Sequence, residues 1–384
     1  MSKDTYTLKT RFGEVEVSKN AIEGDFTTIP VIDLTDMKSP DLEKRKRVAS
    51  QIYDASSKVG FFYIKNHGIA EETIEKIHIA AHKYFALPLE AKMETYMGTS
   101  KNFRGYTPLL GGHQSTQVEE KPSGNLSEAF DIGYELAGDR QAKPTDVLST
   151  DDAGMYGSNI WPREELLPGF RDTFLDYYSQ ILDLGRDMLR IFALALDLPE
   201  DHFDSVVKHP GSLSRLMFYP PQAVGMDEHE GIAPHTDYEC FTILSQDTVP
   251  ALQVLNKSGQ WIVAKPMKNH FVVNIGDFFS FWTNGIFKST IHRATNLTGE
   301  QRYSVPFFFG VDYDATVSVI ESCVSEGNPL KYPGPVKAGE VRRSVLNHAR
   351  KQTTNSRVFS MSANSSRQPM LPQGTKSRTR NWQK

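Results

Sequence analysis

Cysteine is nearly absent from the chain, which has only Cys240 and Cys323 among its 384 residues. Two cysteines cannot build a disulfide framework or a cysteine-rich zinc site, so a small disulfide-stapled secreted fold is excluded. No stretch approaches the roughly 18–20 consecutive apolar residues of a membrane-spanning helix. The first residues also lack the apolar core of a secretory signal and contain acids, which transit peptides avoid. These absences predict a cytoplasmic protein with no membrane partner.

Neither sign of charge is in large excess. The chain has 43 Lys and Arg residues and 47 Asp and Glu residues, for a formal net charge of −4. This balance does not favour nucleic acid as a partner, and the sequence leaves the oligomeric state open. The exception is the stretch 337–384, which contains eleven Lys or Arg residues and one acid, Glu340. We predict a basic, flexible tail over 351–384, because that segment has few large apolar side chains. A docking role for the tail stays open as an alternative.

The N-terminal half predicts strands and helices in alternation. The composition, with 39% hydrophobic and 23% charged residues, is that of an ordinary globular protein. Apolar residues at helical spacing predict helices over 41–59, 71–85 and 169–198. Short runs of apolar and β-branched residues predict strands over 29–34 and 61–64.

From residue 213 to 319 the pattern changes to short strands separated by turns. Runs such as FVVNI, FFSFW and YSVPFFF are rich in β-branched and aromatic residues and predict strands. Residues 256–259 and the pair Asn284-Gly285 predict hairpin turns, the second of type I′. About eight strands at short intervals predict an antiparallel barrel or a double-sheet jelly roll. A helix is predicted after it, over 336–350.

The patterns divide the chain into five predicted segments. They are an N-terminal α/β segment (1–110), a loop-rich region with the long helix (111–212), a jelly-roll core (213–320), a C-terminal helical region (321–350) and the basic tail (351–384). The chemistry is expected in the third segment, where the polar residues described next interrupt apolar strands.

One short segment carries residues typical of a metal site. His235, Thr236 and Asp237 precede an apolar strand. On an extended backbone positions i and i+2 project to the same side, so His235 and Asp237 can reach one point. A second predicted strand, over 288–295, places His292 among apolar and β-branched neighbours. Two imidazoles and one carboxylate form the facial triad of non-haem Fe(II) oxygenases. A His-x-Asp pair also occurs by chance, so the triad needs support from a second feature.

Arg302 and Ser304 supply that second feature. They follow His292 in the chain and share one face of a predicted strand that is otherwise largely aromatic. A guanidinium is planar and permanently charged, and it binds a carboxylate through two parallel hydrogen bonds. An arginine on such a strand is costly unless an anion meets it, although a carboxylate of the protein would also satisfy it. We therefore expect a carboxylate clamp close to the metal site.

These residues belong to a longer series of motifs that spans roughly residues 27–350. In chain order the motifs are IPVIDL, GFFYIKNHGI, FALPLEAK, RLMFYPP, HTD, STIHRA and RYS. In these motifs the chain resembles the Fe(II)/2-oxoglutarate-dependent dioxygenases of the isopenicillin N synthase-like superfamily. The resemblance implies a mainly β fold with flanking helices around a double-stranded β-helix, or jelly-roll, core, which agrees with the strand pattern.

The resemblance also implies a reaction and its cofactors. Fe(II), 2-oxoglutarate as co-substrate and O2, with ascorbate in support, would oxidise an unactivated C–H bond of a small molecule. Hydroxylation, desaturation and ring formation are the expected outcomes, with release of succinate and CO2. A specialised metabolite is the expected substrate class. The metal carries the hard chemistry, while the protein positions the substrate and keeps the pocket dry.

Residue by residue, the resemblance implies that Fe(II) is bound by His235, Asp237 and His292. It implies that the distal carboxylate of 2-oxoglutarate is bound by Arg302, Ser304 and Tyr219. The residues expected to line the substrate pocket are Tyr238, Phe308, Tyr106 and Met217. Aromatic walls indicate a flat or hydrophobic molecule, with ordinary core packing of these rings as the alternative.

Two positions leave details open. Met217 stands where many plant members have an asparagine at the co-substrate, so the contacts there are not fixed by the resemblance. Arg104 could bind a carboxylate of the substrate, but a solvent-exposed arginine is the favoured expectation for this position.

Two alternative functions are considered. Isopenicillin N synthase-like oxidases keep the Arg-x-Ser pair but use it for the carboxylate of their own substrate, without 2-oxoglutarate. A barrel that binds a ligand without catalysis is the second alternative, which the intact triad disfavours. Release of succinate distinguishes the first alternative from a dioxygenase, and uptake of Fe(II) distinguishes the second.

Overall fold

The computed structural model describes residues 5–10, 13–18, 26–109, 125–148, 153–222, 231–296 and 298–344. The strands of these residues are β1 Thr5–Thr10, β2 Gly13–Ser18, β3 Val31–Asp33, β4 Phe61–Lys65, β5 Gly105–Thr107, β6 Glu128–Gly133, β7 Leu213–Tyr219, β8 Ile232–His235, β9 Phe241–Gln246, β10 Leu252–Leu255, β11 Trp261–Val263, β12 Phe271–Ile275, β13 His292–Ala294, β14 Arg302–Phe309, β15 Thr316–Val317 and β16 Val336–Lys337. The α-helices are α1 Leu42–Lys58, α2 Glu71–Phe85, α3 Leu89–Met93, α4 Phe170–Ala195 and α5 Asp277–Trp282.

Two β-sheets build the core. The larger sheet has eight strands in the order β3-β4-β12-β9-β14-β7-β6-β5, and the smaller sheet has four in the order β11-β10-β13-β8. All neighbours are antiparallel except β3 and β4, which are parallel. A cavity lies between the two sheets, lined by residues of both. This arrangement confirms the predicted mainly β fold with flanking helices and a jelly-roll core.

The helices cover one side of the larger sheet. Asp41 is the N-cap of helix α1, and its carboxylate accepts a hydrogen bond of 2.9 Å from the backbone N–H of Glu43. Helix α4 is buried along most of its length and packs against β14 at Gly185, where a Cβ would lie only 2.3 Å from the Phe309 ring. No helix of the described residues is long and apolar enough to cross a membrane.

Most predicted elements agree with the structure. Helix α2 has the predicted bounds, and the helices predicted over 41–59 and 169–198 are each shorter by one to three residues at an end. The turn predicted at 256–259 joins the antiparallel strands β10 and β11. The strand predicted over 288–295 is reduced to the three residues of β13.

The predictions for the C-terminal region and for the segment boundaries are only partly covered by the described residues. Residues 336–337 form β16 rather than the start of the predicted helix, and residues 338–344 are helical. The end of that helix, residues 111–124 and the tail over 351–384 lie outside the described residues. The five predicted segments stay a prediction, and strands from the first three of them pair within the larger sheet.

One predicted hairpin is wrong. The FFSFW run forms helix α5 instead of a strand, and Asn284-Gly285 ends that helix rather than joining two strands. Both residues have the positive φ that a type I′ turn requires, 52° and 74°. The backbone N–H of Gly285 donates to the carbonyl of Ser280 at 2.7 Å, which closes the helix end. Left-handed residues serve helix ends as well as hairpins, so the dipeptide alone could not distinguish them.

Candidate metal centre and carboxylate pocket

The three side chains of the predicted triad converge on one point. His235 ends β8, and His292 begins β13 directly opposite it in the register of the smaller sheet. Asp237 follows two residues after His235, and its Oδ1 lies 3.7 Å from Nε2 of each histidine. One ligand atom from each residue lies within 4.8 Å of the others, which suits a single metal ion held by a facial triad.

Backbone carbonyls orient both imidazoles. Nδ1 of His235 lies 2.8 Å from the carbonyl oxygen of Ala233, and Nδ1 of His292 lies 3.1 Å from that of Thr290. A carbonyl oxygen only accepts, so each Nδ1 carries the proton and each Nε2 presents its lone pair to the shared point. Burial and the neighbouring His292 lower the pKa of His235 to about 4, which keeps its imidazole neutral and able to bind a metal.

Two polar side chains of the larger sheet fix the carboxylate of Asp237. Its Oδ2 accepts hydrogen bonds of 2.5 Å from the Thr242 hydroxyl and 2.7 Å from the Asn274 amide, which leaves Oδ1 for the metal. Burial raises the pKa of Asp237, but the two imidazoles and these hydrogen bonds together hold the pKa below its ordinary value. The carboxylate is therefore ionised without a metal, and its Oδ1 is already oriented toward the two histidines.

The cavity beside the triad has an empty volume of about 530 Å³ and contains the predicted carboxylate clamp. Arg302 on β14 is 1% exposed and donates from Nη2 to the side-chain oxygen of Gln246 at 3.2 Å. Its Nε and Nη1 have no partner among the described residues.

The surroundings of Arg302 favour an anion in the cavity. Its guanidinium lies 4.7 Å from the ring centroid of Tyr219, the opposite residue on β7, and Ser304 lines the same cavity two residues further along β14. A buried cation with unsatisfied N–H groups is unfavourable until an acceptor meets it. The donor set therefore fits a carboxylate held by Arg302, with Ser304 and Tyr219 beside it.

The residues predicted to line the substrate pocket are divided between two places. Phe308 and Met217 line the cavity that contains the triad. Tyr106 lies in β5, where its hydroxyl donates to Glu128 at 2.6 Å and its ring packs in the core. Tyr238 lines a second, smaller cavity that none of the three triad residues lines. The structure thus brings two of the four to the metal cavity.

Several residues at the site were not expected from the sequence. Thr242 and Asn274, which fix the Asp237 carboxylate, were missed, as was Arg215 on β7, which lines the cavity and pairs with Asp131 through two hydrogen bonds of 2.5 and 2.7 Å. A signal for Asn274 and Arg215 was present, because each interrupts an apolar strand, as Arg302 does. The favoured expectation of an exposed Arg104 is wrong, since this side chain is 2% exposed.

Gly276 packs against the backbone around Asp237, and Gly276→Ala should displace that backbone. A Cβ at this position would lie 2.2 Å from the carbonyl oxygen of Glu239 and 3.2 Å from that of Asp237. We expect the substitution to cost about 1–3 kcal/mol of stability, as overpacking usually does, and to weaken Fe(II) binding. Fe(II) titration and urea unfolding measure both effects. Gly327→Ala is the matched control, because nothing lies within 4 Å of its Cβ position.

Comparisons with known proteins agree with this site. A family model described as the N-terminal domain of the non-haem dioxygenase in morphine synthesis matches residues 29–164, and that of the 2OG-Fe(II) oxygenase superfamily matches residues 210–311. The 2-oxoglutarate-Fe(II) type oxidoreductase ppzC of Metarhizium majus (strain ARSEF 297) is 37% identical over 79% of this chain and 83% of its own length. The homoarginine-6-hydroxylase 2-ODD-233 of Oryza sativa subsp. japonica is 34% identical over 84% of this chain and 98% of its own length.

A solved structure shares the fold over most of its length. Full-length Neurospora crassa T7H in complex with alpha-KG superposes with a TM-score of 0.73 at 28% identity, covering 86% of this chain and 99% of that chain. These matches confirm the predicted family, and they do not favour an oxidase that works without 2-oxoglutarate. The chain belongs to the 2-oxoglutarate-Fe(II) oxygenase superfamily and is a dioxygenase that uses Fe(II), 2-oxoglutarate and O2.

Proposed function

We propose that His235, Asp237 and His292 bind Fe(II), and that Arg302, assisted by Ser304 and Tyr219, binds the distal carboxylate of 2-oxoglutarate. The observation that carries this proposal is the presence of two unpartnered N–H groups of a buried arginine in the cavity that contains the triad. Fe(II) bound at the triad would supply the oxidising chemistry. The side chains of the cavity would then decide which molecule is presented to it.

The remaining walls of the cavity favour a small organic substrate. Phe308, Met217, Leu244 and Leu252 supply apolar surface, while Arg215 is held in place by Asp131. Such walls exclude water and orient a ligand through a few fixed polar groups. A specialised metabolite that is oxidised at an unactivated C–H bond fits this site.

The names of similar proteins agree with a small-molecule substrate. They include a homoarginine hydroxylase, a T7H complex with thymine and a complex of JOX2 with 2OG, Fe and JA. These molecules differ widely in shape and charge. The relatives therefore support a small molecule as the substrate class. Which small molecule is bound depends on the pocket residues of this chain.

The test of the proposed function uses anaerobic protein with Fe(II) and 2-oxoglutarate. We expect equimolar Fe(II) uptake, followed by the visible charge-transfer band of a chelate between Fe(II) and 2-oxoglutarate. Admission of O2, with ascorbate present, should then release succinate. Small-molecule extracts added to the same mixture should contain a compound that gains one oxygen atom or loses two hydrogen atoms. A protein that binds Fe(II) but gives neither the band nor succinate would contradict the proposal.

A further inference from the structure

Three arginines, the buried Arg104 and Arg342 and the partly buried Arg215, gather toward the end of the barrel that lies away from Arg302. Arg104 precedes β5, and its guanidinium lies over Gly133 of β6, where a Cβ would come within 1.9 Å of its Cζ. Arg215 lies on the neighbouring strand β7, opposite Asp131. Arg342 lies in the helical residues 338–344. Mutual electrostatic interactions connect Arg342 to both of the other guanidinium groups.

The register of the larger sheet locates this cluster relative to the metal cavity. Gly133 is opposite Leu213 on β7, and Leu213 is opposite Phe308 on β14. Phe308 is six residues beyond Arg302 on the same strand, a distance of about 20 Å in extended backbone. Arg104 therefore marks one end of the barrel, and the proposed 2-oxoglutarate clamp marks the other.

The charges in this cluster do not balance. Arg215 has a carboxylate partner in Asp131, and Arg342 has one in Glu239. Among the described residues Arg104 has no carboxylate partner, and its Nη2 donates to the Tyr313 hydroxyl at 3.1 Å. Its Nε and Nη1 have no partner among the described residues. A fully buried cation without a counterion is among the most unfavourable arrangements in a protein interior.

Arg342 feels the uncompensated charge of Arg104. Its Nε also has no partner in the described part of the chain. Burial, followed by the charge of Arg104, lowers the pKa of Arg342 to about 9. An anion placed between these two side chains would relieve their repulsion and accept the free N–H groups.

A small cavity borders Arg342 and its carboxylate partner Glu239. It is lined by Arg342, by Tyr313, whose hydroxyl contacts Arg104, and by Tyr238, which directly follows the proposed metal ligand Asp237. Arg215 of the same cluster lines the metal cavity, where its guanidinium lies 5.7 Å from the centroid of the Phe308 ring. A carboxylate held by the cluster would therefore place its body beside Arg215 and the Phe308 wall of the metal cavity.

We propose that Arg104 and Arg342 form an anion subsite that binds the carboxylate of the substrate. This inference rests on the proposed function and narrows its substrate class to carboxylic acids with an apolar or planar body. A carboxylate suits the planar fork of a guanidinium, which donates two parallel hydrogen bonds. The anion cannot be the co-substrate itself, because its clamp lies at the opposite end of β14.

The test measures carboxylate binding in the anaerobic holoenzyme with Fe(II) and saturating 2-oxoglutarate, so that the Arg302 site is filled. Propionate and benzoate are titrated against propionamide and benzamide, with inorganic phosphate as a further probe, and thermal unfolding is recorded. We expect the two carboxylates to raise the Tm and the two amides to leave it unchanged. No response to either carboxylate, or a response to phosphate alone, would overturn the assignment.

Variants of Arg104 separate a binding role from a structural one. Arg104→Met should weaken carboxylate binding at least tenfold, as expected for loss of charge-assisted hydrogen bonds. In the absence of carboxylate it should unfold at the same temperature as the wild type or above it, because it removes an uncompensated buried charge. Equal carboxylate responses in Arg104→Met and wild type would contradict the proposal.

Arg104→Lys keeps the positive charge but loses the planar guanidinium fork, so its affinity for carboxylates should fall between those of wild type and Arg104→Met. If Arg104→Met fails to fold, Arg104→Lys still tests the proposal. An affinity equal to that of wild type would count against binding through the guanidinium fork. The chelate band is recorded in the same samples. A normal band without any carboxylate response would defeat the anion subsite alone, whereas a missing band would defeat the proposed function.

Discussion

Asp237→Ala should reduce Fe(II) affinity and bring turnover to below about 1% of the wild-type value, since even the loss of a group behind a metal ligand commonly costs 10–100-fold. Asp237 is the only anionic member of the triad, and its Oδ1 lies equally close to both histidines. Its removal takes away the charge that balances the metal. It also leaves the Thr242 hydroxyl and the Asn274 amide without their common acceptor.

Fe(II) binding of this variant is best measured by anaerobic equilibrium dialysis, with succinate release measured in parallel. Asp201→Ala is the matched control, because Asp201 is exposed and far from the cavity in the chain, and it should match wild type in both assays. Circular dichroism shows whether the variant is folded. A folded Asp237→Ala protein with wild-type Fe(II) uptake and turnover would show that the metal is bound elsewhere.

Arg302→Leu should act on 2-oxoglutarate and spare the metal. The wild-type guanidinium offers Nε and Nη1, both without protein partners, to the cavity. Each charge-assisted hydrogen bond contributes about 1.5–3 kcal/mol. Loss of two such bonds should raise the concentration of 2-oxoglutarate needed for half-maximal turnover at least about 100-fold. Fe(II) affinity should stay near the wild-type value, because Arg302 makes no contact with the triad in the hydrogen bonds described.

Two further variants make the Arg302 result specific. Arg302→Lys retains the charge without the planar fork and should lie between wild type and Arg302→Leu in its need for 2-oxoglutarate. Arg47→Leu removes an exposed arginine and should change neither quantity. Loss of Fe(II) from Arg302→Leu in proportion to its loss of 2-oxoglutarate binding would contradict the separation of the two roles.

The parts of the site that follow strand geometry could be predicted from the sequence. Alternation along an extended backbone predicts that His235 pairs with Asp237, which follows the end of β8, and that Arg302 pairs with Ser304 within β14. Neither pairing needs knowledge of the neighbouring strands. The same local reasoning found α2, whose apolar spacing and acidic first turn are both visible in the sequence. Such features depend only on residues a few positions apart.

The parts that were missed depend on residues distant in the chain. Asn274 and Thr242 reach Asp237 because β9 and β12 place them directly opposite each other, a register that the sequence does not reveal. Arg104 is buried because Gly133 leaves room for its guanidinium. In the sequence, an arginine beside a glycine in a short loop is typical of an exposed turn.

The most direct test of the proposed site is a crystal structure of the protein grown anaerobically with Fe(II) and 2-oxoglutarate, with anomalous scattering recorded at the iron edge. We expect one iron peak between the Nε2 atoms of His235 and His292 and Oδ1 of Asp237, and a 2-oxoglutarate molecule whose distal carboxylate contacts Nε and Nη1 of Arg302. An iron peak away from these three side chains, or a co-substrate that leaves Arg302 without a contact, would contradict the proposed function.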